Sequence, residues 1–492
     1  MTETSDIIML IPVLFPILAG IWIRFIKSDK QRSSLVLAVI ALEILLVAGI
    51  AIKGGYRFTI WQMNDTLSVT LAADALGAFF ACMIAVVWLL AGIFSAEYMK
   101  HEENVPRFFM FYTMTLGVLM GVCFSANLLT LYLFYEMMTL ITVPLVIHTQ
   151  TKEAISAGIK YLGYSVFGAG LALIGFFFLN TYCTTTEFVG GGTLDMTMVA
   201  GSENLLLWVY FIMMIGFGCK AGMLPLHAWL PTAHPVAPSP ASAVLSGIIT
   251  KGGVLAIIRT TYYLFGVDFL KGTWVQQVLL ILAMATVFMG SMLAYKEKLL
   301  KKRLAYSTVS QVSYVLFGLM LMSPIGFVGA LMQVVFHAIA KNTLFLSAGA
   351  IIYKTGKTYV QQLKGMGKQM PIVMWCFTIA SLSLVGIPPT SGFVSKWYLA
   401  QGGLAEPTFA ATGIAGVAIL LISALLTAGY LLPIVLESFF PGDDFDYSTL
   451  EKKEPNSLMT VPLIIFSAGA VILGMFSGSL MNIIIEISGV IF

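Results

Sequence analysis

Charge is what this sequence has least of. Only 10% of its 492 residues are Asp, Glu, Lys or Arg, and 59% are apolar; a soluble globular domain carries about 25% charged residues. That balance leaves no room for a soluble domain of any size and points to an integral membrane protein. The net charge of +3 is too small to suggest nucleic acid. Cysteine is scarce too. Cys82, Cys123, Cys183, Cys219 and Cys376 form no CxxC pair, so the chain offers no iron–sulfur or zinc site. Most of them lie in apolar runs, as small buried hydrophobes do. No GxGxxG fingerprint follows a strand and there is no Walker motif, which leaves nucleotide, flavin and haem binding unsupported. No cofactor, no metal and no redox or hydrolytic centre is expected. The amino terminus, MTETSDIIMLIPVLFPILAGIWI, begins acidic without a basic n-region and reads as a first span rather than a cleaved signal peptide.

What the sequence has in abundance is long apolar runs. At about 20 apolar residues per crossing, about fourteen spans are expected, at roughly 7–25, 33–53, 75–97, 107–124, 127–148, 158–180, 205–230, 237–265, 275–294, 306–323, 325–353, 371–400, 409–437 and 461–491. The fold class is therefore an all-α membrane protein. Alternate loops are basic: 24–32, 100–107, 152–160, 296–303 and 354–368. The intervening ones, 125–127, 184–204, 323–324 and 402–408, are poor in Lys and Arg, although Lys53, Arg57 and Lys271 add some basic charge on that side. The positive-inside rule then predicts a multi-pass protein of the cell membrane with both termini on the non-cytoplasmic side. The loop 438–460, with Asp443, Asp444 and Asp446 against Lys452 and Lys453, is mixed and votes weakly. The stretch GGYRFTIWQMNDTLSVTLAAD alternates apolar and polar residues and suggests a small exterior hairpin.

Two spans are interrupted. The seventh breaks in GFGCKAGMLPLHAWLP, around Lys220 and Pro225, and the twelfth in SLVGIPPTSGFVSKW, around Pro388 and Pro389. Proline removes a helix hydrogen bond, and broken backbone at membrane depth must lie in protein or line a watery cavity. Two such spans five apart point to a repeated architecture. Spans 4–8 and 9–13 would be repeats of opposite orientation, because five is odd. The expected organisation is 1–100 for spans 1–3, 101–266 for the first five-span repeat, 267–437 for the second, and 438–492 for the last loop and span.

Ionisable residues within these spans are expensive; a lysine at a span centre costs about 2.5–3.5 kcal/mol on the gentlest scale. The candidates for a proton relay are Glu136, Lys220, Lys251, His337, Lys341 and Lys396. Glu136 lies mid-span, where a carboxylate must pair, protonate or face water; a neutral helix–helix hydrogen bond is its bland alternative. For Lys220 and Lys251 the alternative is a fixed salt bridge that staples helices. His337 and Lys341, at i and i+4, share one helix face, and histidine titrates near physiological pH. Lys396 follows the second break, toward the outer end of its span, where it either serves as the last relay site or snorkels to the interface. His227 and His234 flank Trp229 near the cytoplasmic end of the seventh span, with a proton inlet and a structural role both open. Arg259 reads as a counter-charge or an outer gate. Glu43, alone in the second span, is expected to meet a partner subunit or a lipid headgroup. Asp74 is expected to cap the third span.

These motifs carry a resemblance. KAGMLPLHAWLPTAHPVAPSPASAVLSGIITKGGVLAIIR, with FYEMMTL, ADALGAFF, RLAYSTVSQVSY, FHAIAKNTLFLSAGAI and LVGIPPTSGFVSKW, resembles the antiporter-like membrane subunits shared by respiratory complex I, Mrp-type multisubunit cation/proton antiporters and membrane-bound hydrogenases. The resemblance covers nearly the whole chain. It implies a fourteen-helix core with two inverted five-helix repeats, each holding a broken helix, and no redox cofactor. It implies that Glu136 and Lys220 are the coupled pair of a first half-channel, that Lys251 links to a second half, and that His337 and Lys341 continue toward Lys396. The expected function is proton translocation within a larger membrane assembly, with Na+/H+ antiport left open. Lys396 stands where some similar complex I subunits of this length carry glutamate, which favours the D-type component of an Mrp antiporter or a hydrogenase-type subunit. Two other classes remain open at this point: an autonomous solute carrier, against which stands the row of titratable groups, and a passive scaffold subunit, against which stands the cost of burying them.

Overall fold

The computed structural model describes residues 6–64, 66–442, 445–446 and 451–492. The acidic start at 1–5 and Asp443 and Asp444 of the mixed loop lie outside the described residues. In hydrocarbon, a chain without a closed barrel can satisfy its backbone only as helix. The crossings are α1 (Ile11–Ile23), α2 (Asp29–Lys53), α3 (Ala75–Tyr98), α4 (Val105–Cys123), α5 (Leu128–Val146) and α6 (Lys152–Tyr182). The seventh is split into α7 (Glu203–Ala221) and α8 (Leu230–Val236). Then come α9 (Ser239–Phe265), α10 (Trp274–Lys296), α11 (Leu300–Met320) and α12 (Pro324–Thr355). The twelfth crossing is split into α13 (Pro371–Val385) and α14 (Ser391–Leu404), and α15 (Ala410–Phe439), α16 (Ser457–Met475) and α17 (Gly478–Ile491) close the chain. Twelve helices among the described residues are long and apolar enough to cross a membrane. The polar 21-residue α11 and the split pair α13–α14 complete the fourteen crossings read from the sequence.

The expected hairpin is present. β1 (Arg57–Gln62) and β2 (Ser68–Ala72) pair antiparallel with an irregularity between Thr59 and Trp61. An ion pair between Arg57 and Glu187 ties it to the 184–194 loop on the face opposite the basic loops.

The five crossings from α4 to α9 and the five from α10 to α15 repeat one pattern of neighbours. α4 packs on α5 and α10 on α11; α6 packs on α7, and α12 on both halves of the second broken helix; α7 packs on α9, and α13 and α14 on α15. Each break follows a left-handed glycine, Gly222 at φ +80° and Gly386 at φ +93°, a conformation other residues rarely adopt. The last predicted span, 461–491, is two helices rather than one. At about 1.5 Å per residue, the 14 residues of α17 fall short of a 30 Å hydrocarbon layer. Its end packs Phe492 against Tyr262 and Phe327.

Glu43 corrects another expectation. It faces neither a lipid headgroup nor a free surface: it is fully buried inside the chain, and neither carboxyl oxygen has a hydrogen-bond partner among the described residues. Helical spacing is the reason. Val36, Val39, Ile40, Glu43, Val47 and Ile50 form one buried stripe of α2, and Ile40 in that stripe meets Gly92 of α3.

Asp74 caps α3 as expected, its Oδ1 accepting from the Gly77 amide at 2.9 Å. It also receives Arg259 of α9 through both guanidinium nitrogens, one of them at 2.7 Å. Arg259 is therefore a counter-charge, lying over the rings of Phe188 and Tyr263 at 5.0 and 4.8 Å from their centres. The guanidinium is 2% exposed and the carboxylate 39%, so the two partners are not equivalent. Asp74→Ala strands a buried cation and removes a cap, and is expected to cost about 3–5 kcal/mol. Arg259→Met frees a carboxylate that water can reach and is expected to cost about 1 kcal/mol. Thermal unfolding of both variants in detergent checks the order; equal losses would contradict it.

Candidate functional site

The first break leaves carbonyls at the end of α7 and amides in the connecting turn without helical partners. Side chains fill some of these places: the Trp229 indole donates to Cys219 O at 2.8 Å and the Leu224 amide donates to Thr286 Oγ1 at 3.2 Å. Lys220 sits in the last turn of α7 and is fully buried. Its ammonium donates to Thr139 Oγ1 of α5 at 2.7 Å, and to Ser165 Oγ and Tyr161 OH of α6 at 3.0 and 3.2 Å. The Tyr161 ring lies 4.7 Å from it. Glu136 is half-buried on α5, one turn before Thr139. It interacts with Tyr132 one turn earlier and with Lys220 through space. Among the described residues, no ion pair joins Glu136 to Lys220: three neutral hydroxyls hold the lysine, and the carboxylate acts on it through space.

α9 lies against α7 because Gly253 has no side chain. A Cβ there would sit 2.8 Å from the Ala221 amide nitrogen and 2.9 Å from Phe217 O. Lys251, two residues earlier, is also fully buried. Two π-helical stretches, Leu245–Ile249 and Arg259–Phe265, flank its turn; such interruptions are frequent at functional sites. The Lys251 ammonium donates to Ser246 O at 3.1 Å and faces Thr250 Oγ1 at 3.4 Å and His337 Nδ1 of α12.

His337 and Lys341 share a face of α12 but use it differently. His337 turns to Lys251. Lys341 donates to Leu304 O at 3.0 Å and Ser307 Oγ at 2.7 Å, both on α11. Tyr430 of α15 donates to the same Ser307 oxygen at 2.7 Å. Ser246 Oγ meets Thr308 Oγ1 at 2.6 Å, and Thr308 donates to Leu304 O at 2.9 Å. Polar contacts thus run residue to residue from His337 and Lys251, through Ser246 (its carbonyl toward Lys251, its hydroxyl toward Thr308), Thr308 and Leu304 O, to Lys341, Ser307 and Tyr430.

Lys396 of α14 does not snorkel. Its ammonium turns back across the second break to the Leu384 and Val385 carbonyls at the end of α13, the latter at 2.9 Å, and lies 5.1 Å from the Tyr314 ring. Aligning Gly386 with Gly222 puts Leu384 where the first repeat has Lys220, so Lys396 brings its charge to that place from the other half of its broken helix. Next to it, Ser395 donates to Gln333 at 2.6 Å and Gln333 to Gln311 at 2.9 Å. Among the described residues, His227, half-buried with Nδ1 unpartnered, is not joined to the row, and His234 is fully buried with both ring nitrogens unpartnered.

The polar residues between the lysines escaped the sequence reading. Ser307, Thr308 and Gln311 lie in RLAYSTVSQVSY, and Gln333 and Tyr430 in apolar runs. The available signal was the polarity of α11, unusual for a buried crossing.

A family model described as NADH:quinone oxidoreductase/Mrp antiporter, TM, matches residues 125–427, and one described as NADH-Ubiquinone oxidoreductase (complex I), chain 5 N-terminus, matches 61–109. The chain is 29% identical over 504 residues to NADH-quinone oxidoreductase subunit N of Desulforudis audaxviator, covering 98% of this chain and 97% of that protein. It is 27% identical over 446 residues to the D component of the Na(+)/H(+) antiporter of Bacillus subtilis, covering 88% and 87%. Its fold is similar to a chain in the structure of the Mrp complex from Dietzia sp., with a TM-score of 0.87 at 20% identity, over 99% of this chain and 98% of that one. With the first model matched over more than half of its length, the chain belongs to the transmembrane family of NADH:quinone oxidoreductase and Mrp antiporter subunits.

Proposed function

We propose that this chain is a proton-translocating membrane subunit of a multisubunit complex, of the Mrp antiporter, hydrogenase or complex I-like kind, and that Glu136, Lys220, Lys251, His337, Lys341 and Lys396 form its relay. The observation that carries this reading is the row of buried cations held by neutral acceptors. Lys220, Lys251 and Lys341 are fully buried, yet hydroxyls, carbonyls and an imidazole hold them rather than carboxylates. A carboxylate would fix the charge in place; a hydroxyl or carbonyl leaves the ammonium free to give its proton up. A neutral His337 accepts from the Lys251 ammonium, and once the proton has crossed, the imidazolium donates to the amine. The matched relatives, named as quinone oxidoreductase and Na(+)/H(+) antiporter subunits, support the class. Sodium exchange belongs to the same reading as the coupled reaction of an Mrp-type assembly. The basic loops support an orientation with both termini outside the cytoplasm and Lys396 toward the outer face, after the second break.

Lys220→Ala is expected to abolish ion-driven pH change in membrane vesicles that hold the assembled complex, and Glu136→Ala to do the same while assembly is retained. Normal transport by an assembled Lys220→Ala protein would sink the relay.

Ser307 and Tyr430 separate the contact from its neighbour. A hydrogen bond to a charged group is worth about 1.5–3 kcal/mol, so Ser307→Ala, which takes an acceptor from Lys341, is expected to slow transport by about tenfold or more. Tyr430→Phe leaves that acceptor in place and is expected to have a smaller effect. Transport rates at matched expression rank the two, and the reverse order would place the path along α15 instead.

A further inference from the structure

We propose a second inlet, on the face of the basic loops, that delivers protons to Lys341 through His234 without passing Lys220; this rests on the translocation reading above. A cavity of about 190 Å³ opens there between the ends of α3, α5, α8, α11 and α12, lined among others by Tyr98, Glu102, Thr149, Lys301 and Thr358. Its inner wall is the backbone of Pro235 to Pro238, where α8 meets α9. Lys301, only 7% exposed, enters from the first turn of α11 and donates to Ala237 O, with Pro235 O at 3.4 Å. Glu102 faces it electrostatically across the cavity. Burial raises the Glu102 carboxyl above its ordinary value, offset in part by Lys301 and His101, which suits a group that exchanges protons with the aqueous face.

His234 lies directly behind this wall, one residue before Pro235. It stacks on Phe345 of α12, ring centres 4.9 Å apart, and Phe345 is one turn beyond Lys341 on the same helix face. The histidine thus links the Pro235 wall, which Lys301 reaches, to the α12 turn that carries Lys341, and its ring interacts electrostatically with both lysines. It is the second histidine, with His337, placed beside the Lys341 turn. A buried polar group left unpaired costs about 1–3 kcal/mol, and His234 leaves two ring nitrogens unpaired. A phenylalanine would stack on Phe345 without that cost, so packing alone does not account for a histidine. In the step we assign to it, a proton from the mouth binds one ring nitrogen, the imidazolium then gives its proton to the neutral Lys341 amine, and the ring returns to neutral. The new ammonium is the one that donates to Leu304 O and Ser307 Oγ. When protonated, Lys301 places a positive charge at the threshold that disfavours a hydrated metal cation, whereas a proton passes by transfer between groups.

The test uses vesicles carrying the whole assembled complex, oriented with the basic-loop face outward. His234→Phe keeps the stack and removes both nitrogens; it is expected to lower proton transport by about tenfold while complex content stays at the parental level. In parallel, Thr358→Cys at the mouth is treated with a membrane-impermeant thiol reagent. Transport should fall as the cysteine is labelled, with the untreated variant and the treated parent as controls. Parental rates in an assembled His234→Phe complex, or in a fully labelled Thr358→Cys complex, would overturn the inlet. If His234→Phe fails to assemble, the labelling result decides. Loss of the main reading looks different, since the parent complex itself would then move no protons.

Discussion

The structure turns on how a lysine ammonium can be kept inside a membrane protein without an anion beside it. The charge costs a few kcal/mol to insert, and a hydrogen bond to a charged group returns about 1.5–3 kcal/mol. The three hydroxyls around Lys220 are enough to hold it, and the carbonyls and hydroxyl around Lys251 and Lys341 serve the same purpose. Arg259 shows the opposite solution. It is equally buried, but both of its terminal nitrogens rest on one carboxylate that also caps a helix. That cation is locked and fastens α9 to α3. The same helix thus carries one charge built to stay, at Arg259, and one held only by groups that can let it go, at Lys251.

Supplying neutral acceptors at membrane depth shapes the surrounding helices. α11 places Ser307, Thr308, Ser310, Gln311 and Ser313 in the core, which makes it the polar crossing that depends on burial between its neighbours. α9 gives up regular α-helical geometry on either side of Lys251. The broken helices expose their own carbonyls, and in each repeat a side chain from the far half returns to cover them: Trp229 at Cys219 O, and Lys396 at Leu384 O and Val385 O. The two repeats meet the same backbone problem with different chemistry, a neutral indole in one and a charge in the other. This difference gives the second break, but not the first, an ammonium from the far side.

Close packing sets the spacing of the row. Gly253 lets α9 approach α7 at the level of Lys220, and Gly247 brings the same helix to within reach of Asn342 on α12. Lys251 lies between those two glycines, so the helix that carries it is pressed against both halves at once. A side chain at Gly253 would press on the α7 backbone, and one at Gly247 would displace the Asn342 amide.

The sequence by itself determined that this is a multi-pass helical membrane protein, where nearly all of its crossings lie, which two are broken, and that Lys220, Lys251, His337 and Lys341 are buried. These are properties of composition and local pattern: apolar runs of span length, prolines inside them, and charges too costly to leave in lipid. The hairpin and the Asp74 cap were legible for the same reason, since each depends on a few neighbouring residues. Pairing was not legible, because it depends on which helix faces lie together. Lys220 met Thr139, Tyr161 and Ser165 rather than Glu136 directly, and His337 turned to Lys251, 86 residues away, rather than to Lys341 on its own face. Glu43 was assigned to the outside because it stood alone in sequence, yet its place in a helical stripe put it inside. The last span was read as one although Gly474, Ser477 and Gly478 interrupt the apolar run; packing against Pro389 at Gly474 and against Phe327 at Phe492 accompanies the division into a crossing and a short helix.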